Sequence, residues 1–253
     1  MTVRLSIRVL RSAAAAAVVL VVSACAGGSP TTGSAATSGA AAATVAGAGA
    51  VSGGASTAQR AVAVHGAVVV HRDPTASSPV AARLPASTPL GSPRVLAVRS
   101  VVAGWVQVML PTRPNGGTGW VAAADVRVEA VNDLVTVDLA ARRLTLVIEG
   151  HTLATASVAV GSAANPTPTG RFFVTDRVRP PSPSGTYGAF ALGLSGHSDT
   201  LSEFGSGDGQ IGIHGTNDPG SIGKAVSHGC IRVPADVAAM LERVPLGTPV
   251  VIT

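Results

Sequence analysis

The sequence predicts a mainly β protein, a small β-barrel followed by a larger, mostly β part with one late helix. Three observations carry that prediction. Apolar residues recur with period two over short runs, the spacing that sends alternate side chains to one face of a strand. Proline and glycine cut those runs at short intervals, as turns do. One stretch only, near the C-terminus, has the apolar period of a helix. The 253 residues are 46% hydrophobic but 3% aromatic, so Val, Ala, Leu and Ile must fill the core. That length allows one or two domains.

Residues 1–25 have the parts of an export signal: Arg4, Arg8 and Arg11, the apolar run Ala13 to Val22, then small residues. Ten apolar residues fall short of a ~20-residue membrane span. Val22-Ser23-Ala24-Cys25 resembles a bacterial lipobox. The resemblance implies lipidation at Cys25 and a membrane attachment through that lipid alone; ordinary cleavage nearby, leaving Cys25 free, is the alternative. Residues 26–60 are nearly all Ala, Gly, Ser, Thr and Val, with no charge before Arg60. Such a tract is a flexible tether with a reach of roughly 30 Å. Together these features place the folded part outside the cytoplasmic membrane and close to it. Setting the three signal arginines aside leaves fifteen basic against thirteen acidic residues, a net of +2. No Lys/Arg cluster or aromatic ladder remains, so the sequence gives no support for nucleic-acid binding.

Residues 61–129 hold the barrel. Val62 to Val64, Ala67 to Val70, Val95 to Val98, Trp105 to Leu110 and Gly119 to Val121 are its strand candidates. Seven prolines between Pro74 and Pro114 confine the connections, and Asn115-Gly116-Gly117 is a strong turn. Gly104-Trp105-Val106-Gln107-Val108 followed by Gly119-Trp120-Val121 resembles the tail of a bacterial Src-homology-three-like domain. Trp105 and Trp120 read first as half-buried strand packing, with glycan binding as the alternative.

Residues 131–253 follow. Leu134 to Leu139 and Leu144 to Ile148 form a hairpin around Ala140 to Arg143, and Leu153 to Val160 follows a Gly150-His151 turn. Arg171 to Thr175 is a further short strand, Arg179 to Gly185 is an exposed loop, and Tyr187 to Leu194 alternates with small residues. Ser195 to Gly209 is rich in Gly and Ser. The helix is Pro234 to Arg243, with Pro234 in its first turn, Asp236 near its N-terminus, and Val237, Met240, Leu241 and Val244 on one face. Pro249 to Thr253 is a closing strand.

The chemistry concentrates between Gln210 and Val233. Cys230 is the one cysteine left once Cys25 is assigned to the signal, and His214 and His228 lie in the same stretch. Alternation puts Ile211 and Ile213 on one face of a strand with Gln210, Gly212 and His214 on the other. Farther on, Ile231 and Val233 share a face opposite His228, Cys230 and Arg232. With both apolar faces in the core, a thiol, two imidazoles and a guanidinium converge on one exposed surface. A free thiol with a pKa near ~8.5 is mostly protonated at neutral pH. An adjacent imidazolium stabilises the thiolate, and the imidazole can pass protons to and from an amine. His214 and Cys230 are sixteen positions apart, and Asn217-Asp218-Pro219-Gly220 supplies the turn that lets them meet. Backbone N–H groups around Gly229 and Cys230 are candidates for an oxyanion hole, with Ser227 either assisting it or capping a turn. Arg232 can pair a substrate carboxylate or bridge to Asp218 or Asp236. His228 lines the site or holds its loop. Tyr187, the one tyrosine, lines a cleft or packs ordinarily.

His214-Gly215-Thr216 with Ser227-His228-Gly229-Cys230-Ile231-Arg232 resembles the signature of the YkuD-type L,D-transpeptidases, cysteine enzymes that cross-link bacterial peptidoglycan. The likeness runs from Val131 to Thr253 and takes in Thr167-Pro168-Thr169-Gly170-Arg171-Phe172 and Tyr187-Gly188. It implies a YkuD-like β-sandwich, Cys230 as nucleophile, His214 as general base and acid, and the Gly215 carbonyl as the group that orients the imidazole. It implies peptidoglycan stem peptides as donor and acceptor, 3→3 cross-links, carbapenem-type β-lactams as inhibitors, and no cofactor or metal. Three other readings are open at this point: hydrolysis of stem peptides in the manner of an L,D-carboxypeptidase, a Zn site on His214, His228 and Cys230, and a non-catalytic wall-binding lipoprotein.

Overall fold

Short alternating runs in the first half pair into one antiparallel sheet. The computed structural model describes residues 58–204 and 207–253, so the expected signal, Cys25 and most of the tether lie outside the described residues. The strands are β1 (Ala58–Ala63), β2 (Val68–His71), β3 (Val80–Leu84), β4 (Val95–Val102), β5 (Trp105–Met109), β6 (Thr118–Ala122) and β7 (Val126–Val131). Their order across the sheet is β3-β2-β6-β5-β4-β1-β7. Val68, Val70, Val106, Val108 and Val121 point into a shared core. Trp105 and Trp120 are half-buried on the opposite side of their strands, and the Trp105 ring meets His71 edge-on with centroids 5.3 Å apart.

Two of these strands carry little sequence signal. In β3 only Leu84 is buried, and Ala81, Ala82 and an exposed Val80 give no contrast between faces. The strand exists because it edges β2. β7 alternates only over its first residues and straddles the break between the two predicted parts; it pairs with β1 along all six residues.

The second sheet is built from β8 (Leu134–Asp138), β9 (Arg143–Ile148), β10 (His151–Ser157), β12 (Gly170–Val178), β13 (Ala191–His197), β14 (Gln210–His214), β16 (Ile231–Arg232) and β17 (Pro249–Ile252). Their order is β10-β9-β8-β17-β12-β13-β14-β16. The long β12 pairs with β17 through Gly170 to Phe173, then with β13 from Val174 onward. This handover lets the two halves of the sheet enclose one apolar core. A separate parallel pair joins β11 (Val160–Gly161) to β15 (Ala225–Ser227).

Among the described residues the mainly β class with one α-helix holds, with local corrections. The expected strand Leu153 to Val160 is interrupted at Val158 and Ala159: the Val158 N–H makes the last hairpin bond, to the Arg142 carbonyl, and the Ala159 N–H turns away to Arg232. Tyr187 to Phe190 are not strand; Gly188 has φ +65, and β13 runs instead from Ala191 into the Gly/Ser-rich stretch. The turn before β10 is Glu149-Gly150, and His151 already belongs to the strand. The helix is shorter: α1 (Ala235–Met240) continues as a tighter turn over Leu241–Arg243. Pro234 caps α1 in an extended conformation, ahead of the first turn. The buried face is Val237, Ala238, Leu241 and Val244, with Met240 at its margin.

The two sheets meet at β12. Phe172 enters the core of the second sheet, while its neighbour Phe173 enters that of the first. Nearby, the Thr88 hydroxyl donates to buried Asp176, which also accepts from Gln210 Nε2 at 3.3 Å. Arg60 donates to the Leu246 carbonyl at 2.9 Å.

Candidate active site

β14 and β16 run parallel, with Ile213 beside Ile231 and His214 beside Arg232. Ile211, Ile213, Ile231 and Val233 are buried in the core, as the alternation predicts. Gly212 on the other face donates its N–H to Cys230 Sγ at 3.4 Å. The outer edge of β16 is covered, because Arg232 and Ala159 exchange backbone hydrogen bonds of 2.9 Å.

The expected exposed surface is instead the floor of a cleft lined by Tyr187, Leu201, Phe204, Gln210, His228 and Arg232. His214 is only 4% exposed and Cys230 is half-buried. The His214 Nδ1–H donates to the Gly215 carbonyl at 2.5 Å, leaving Nε2 with the free lone pair. Burial pushes the imidazole down to about 4, against the Gly215 carbonyl and with help from the Arg232 charge. Burial pushes the Cys230 thiol up, while the Gly212 N–H and Arg232 pull it down. The resting pair is therefore a neutral thiol and a neutral imidazole. Desolvation penalises both charged forms.

Bracing around Cys230 is dense. Ser227 Oγ donates to the Cys230 carbonyl at 2.6 Å and accepts the Gly229 N–H at 3.1 Å. Thr167 Oγ1 donates to the Gly229 carbonyl at 2.8 Å and accepts the Gly161 N–H at 2.8 Å. The Gly229 N–H is thus taken, and the Ser227 hydroxyl is spent on the loop. Among the described residues the N–H groups of both His228 and Cys230 are without a protein acceptor at this bend, and that of Cys230 is the one on the nucleophile itself. Gly229 has φ +118, and a Cβ there would lie 2.9 Å from Ile211 Cδ1. Gly229→Ala is expected to cost roughly 1–3 kcal/mol through backbone strain, read as a lowered Tm in thermal unfolding.

The other predicted residues fall at defined places. The Tyr187 ring stands edge-on to the His214 ring with centroids 4.8 Å apart. Arg232 lines the cleft and forms no ion pair with Asp218 or Asp236 among the described residues. His228 is exposed and lies against Phe204 at 5.2 Å. Among the described residues no three His, Cys, Asp or Glu side chains come together as a metal-ligand set, so His214, His228 and Cys230 do not form one. The sequence placed Gly188 within the family likeness without a role; in the structure a Cβ there would fall 2.6 Å from Gly215 Cα, so two glycines in contact set the carbonyl that holds the imidazole. Thr167 likewise stood in the likeness with no role of its own, while Leu201 and Phe204 were missed; their signal was two apolar residues in a Gly/Ser-rich stretch.

A family model described as the L,D-transpeptidase catalytic domain, YkuD, matches residues 132–252. YkuD of Bacillus subtilis, an L,D-transpeptidase by name, is 36% identical over 151 residues, covering 57% of this chain and 84% of that protein. The chain belongs to the YkuD family of L,D-transpeptidases. YkuD of Bacillus licheniformis is likewise 36% identical over 155 residues, 58% of this chain and 86% of that one. Among solved structures, an L,D-transpeptidase from Mycobacterium smegmatis is 17% identical with a TM-score of 0.40, covering 61% of this chain and 79% of that one. The L,D-transpeptidase LdtMt1 in complex with imipenem is 19% identical with a TM-score of 0.41, covering 77% and 82%. The L,D-transpeptidase span of this chain begins just before β8 and contains Cys230, His214 and every cleft-lining residue named above.

Proposed function

We propose that this protein is a peptidoglycan L,D-transpeptidase in which Cys230 is the nucleophile and His214 the general base and acid. The observation that carries the reading is the convergence in one cleft of the lone described cysteine and a buried imidazole whose Nδ1–H is fixed on the Gly215 carbonyl. The thiol attacks the carbonyl of the third residue of a donor stem peptide, and its proton passes to His214 Nε2 as the C–S bond forms. The Cys230 N–H faces the developing oxyanion. Collapse breaks the amide, His214 protonates the leaving nitrogen, and the terminal D-alanine departs. The side-chain amine of a second stem then attacks the thioester, giving a 3→3 cross-link and returning the proton to sulfur. The thioester keeps the energy of the broken amide, so no ATP enters the balance. Arg232, unpaired in the cleft, is placed for a substrate carboxylate, and Tyr187 and His228 form the sides. A carbapenem-type β-lactam acylates the same sulfur.

The first sheet is read as a Src-homology-three-like module. The N-terminal sequence is read as a lipidated export signal on Cys25 with a tether, holding the enzyme on the outer face of the cytoplasmic membrane within reach of the wall.

The test is mass spectrometry of the chain lacking its first 25 residues, incubated with stem tetrapeptide. An acyl adduct lacking the terminal D-alanine, and a cross-linked dimer on adding acceptor stem, are expected. Free tripeptide alone in the presence of acceptor would make the protein a hydrolase. A folded sample that forms no adduct would sink the reading.

A further inference from the structure

One wall of the cleft is fastened by the first sheet. Leu201, Phe204 and Gly209 line the cleft and belong to the connection between β13 and β14. No described side chain from Asp199 to Asp208 is buried, so apolar packing does not fix this connection. Polar contacts do. Within the connection the Ser198 hydroxyl accepts the Thr200 and Leu201 N–H groups, His197 pairs with Asp208, and the Thr200 hydroxyl donates to Asn165. The β5–β6 connection of the other sheet fastens it from outside. The Arg113 guanidinium donates to three of its carbonyls, Ser198 at 2.5 Å, Leu201 at 2.7 Å and Asp208 at 2.9 Å. The Asn115 amide forms a reciprocal pair with the His197 backbone, donating to its carbonyl at 2.8 Å and accepting its N–H at 2.9 Å. The wall closes tightly on the guanidinium: a Cβ on Gly209 would lie 2.8 Å from Arg113 Nη2.

We propose that Arg113 and Asn115 are positioning residues of the cleft, holding Leu201 and Phe204 where an extended stem peptide must pass on its way to Cys230. A planar, five-donor guanidinium can satisfy three carbonyls at once, and a lysine ammonium at the same place cannot match that fork. The inference rests on the transpeptidase reading for its substrate, although the fastening itself does not. A small β-lactam needs the thiol and the imidazole; a stem peptide also needs the wall. Displacing a positioning surface by about 1 Å costs up to ~10²-fold in rate for the substrate that uses it.

The experiment compares wild type and Arg113→Lys in the chain lacking its first 25 residues. It measures KM and kcat with stem tetrapeptide, the rate of acylation by a carbapenem, and amide hydrogen exchange at Thr200 and Leu201. Arg113→Lys is expected to exchange at least ~10-fold faster at those amides, to raise KM for the peptide about tenfold with a smaller loss in kcat, and to keep the β-lactam rate within about threefold. Asn115→Ala, which removes the His197 pair, gives the same comparison if Arg113→Lys does not fold. Unchanged exchange and unchanged KM overturn the proposal, and so does an equal fall with both substrates, which would mean a general loosening of the fold. A wild type that takes neither substrate overturns the transpeptidase reading instead, and the exchange rates then still decide the fastening.

Discussion

Cys230→Ala is expected to end covalent capture of a carbapenem altogether, with no adduct in the intact mass, while the wild type gains one. The sample lacks the first 25 residues, so Cys230 is the one thiol present. Turnover of stem peptide should fall by roughly 10⁴- to 10⁶-fold, the scale seen when a nucleophile is removed and binding is kept. Cys230→Ser is expected to be as inactive as the alanine variant. The thiol is neutral at rest and gives up its proton during attack. An imidazole held at about 4 is too weak a base to do the same for a hydroxyl. A serine variant that acylates at near wild-type rate would show that the pair does not work as argued. An adduct on the alanine variant would move the nucleophile elsewhere.

His214→Gln should lower the acylation rate by about 10²- to 10⁴-fold at neutral pH, and its pH profile should change shape. In the wild type the base stays available down to about pH 4, because burial resists protonation of the imidazole. The acylation rate is therefore expected to hold through pH 6.5, where an exposed histidine would already be half protonated, and to fall only below about 5. In the glutamine variant the reactive species is pre-formed thiolate, so the rate should climb about tenfold for each rise of one in pH until the thiol titrates. Stability follows the same group. The unfolded chain binds this proton near 6.5 and the folded chain only near 4, so between those values the unfolded state holds more protons. Stability is fully present above about 6.5 and decreases as pH falls toward 4, by about 3 kcal/mol in all. Urea unfolding at pH 7 and pH 4.5 measures the slope, and the glutamine variant should lack it. An acid limb near 6.5 in the wild-type rate would contradict the buried, neutral imidazole.

Much of this site was legible because period two is a statement about faces. Ile211, Ile213, Ile231 and Val233 could be assigned inward from spacing alone, and that assignment brought His214 and Cys230 to one side. Spacing names no partners beyond the strand, however. The burial of His214 comes from Tyr187 at its edge and from the contact of Gly188 with its neighbour Gly215, and Tyr187 and Gly188 lie far from it in sequence. The Gly229 N–H looked free for an oxyanion until Ser227 turned out to hold it. β3 and β15 were silent because few of their side chains are buried, so no alternation develops. Arg113 and Asn115 sat in what reads as an ordinary turn, Pro-Thr-Arg-Pro-Asn-Gly-Gly, and nothing local reveals that their acceptors lie more than eighty residues on.

The two neighbouring phenylalanines of β12 also bear on the order in which the protein can be made. A ribosome releases every strand of the first sheet by Val131, yet the one phenylalanine of that sheet's core is Phe173, translated more than forty residues later. A fragment ending at Val131 has a gap where a phenyl ring belongs, a deficit on the scale of a Phe-to-Ala truncation, about 3–5 kcal/mol. The half that is synthesised first is completed by the half that is synthesised last.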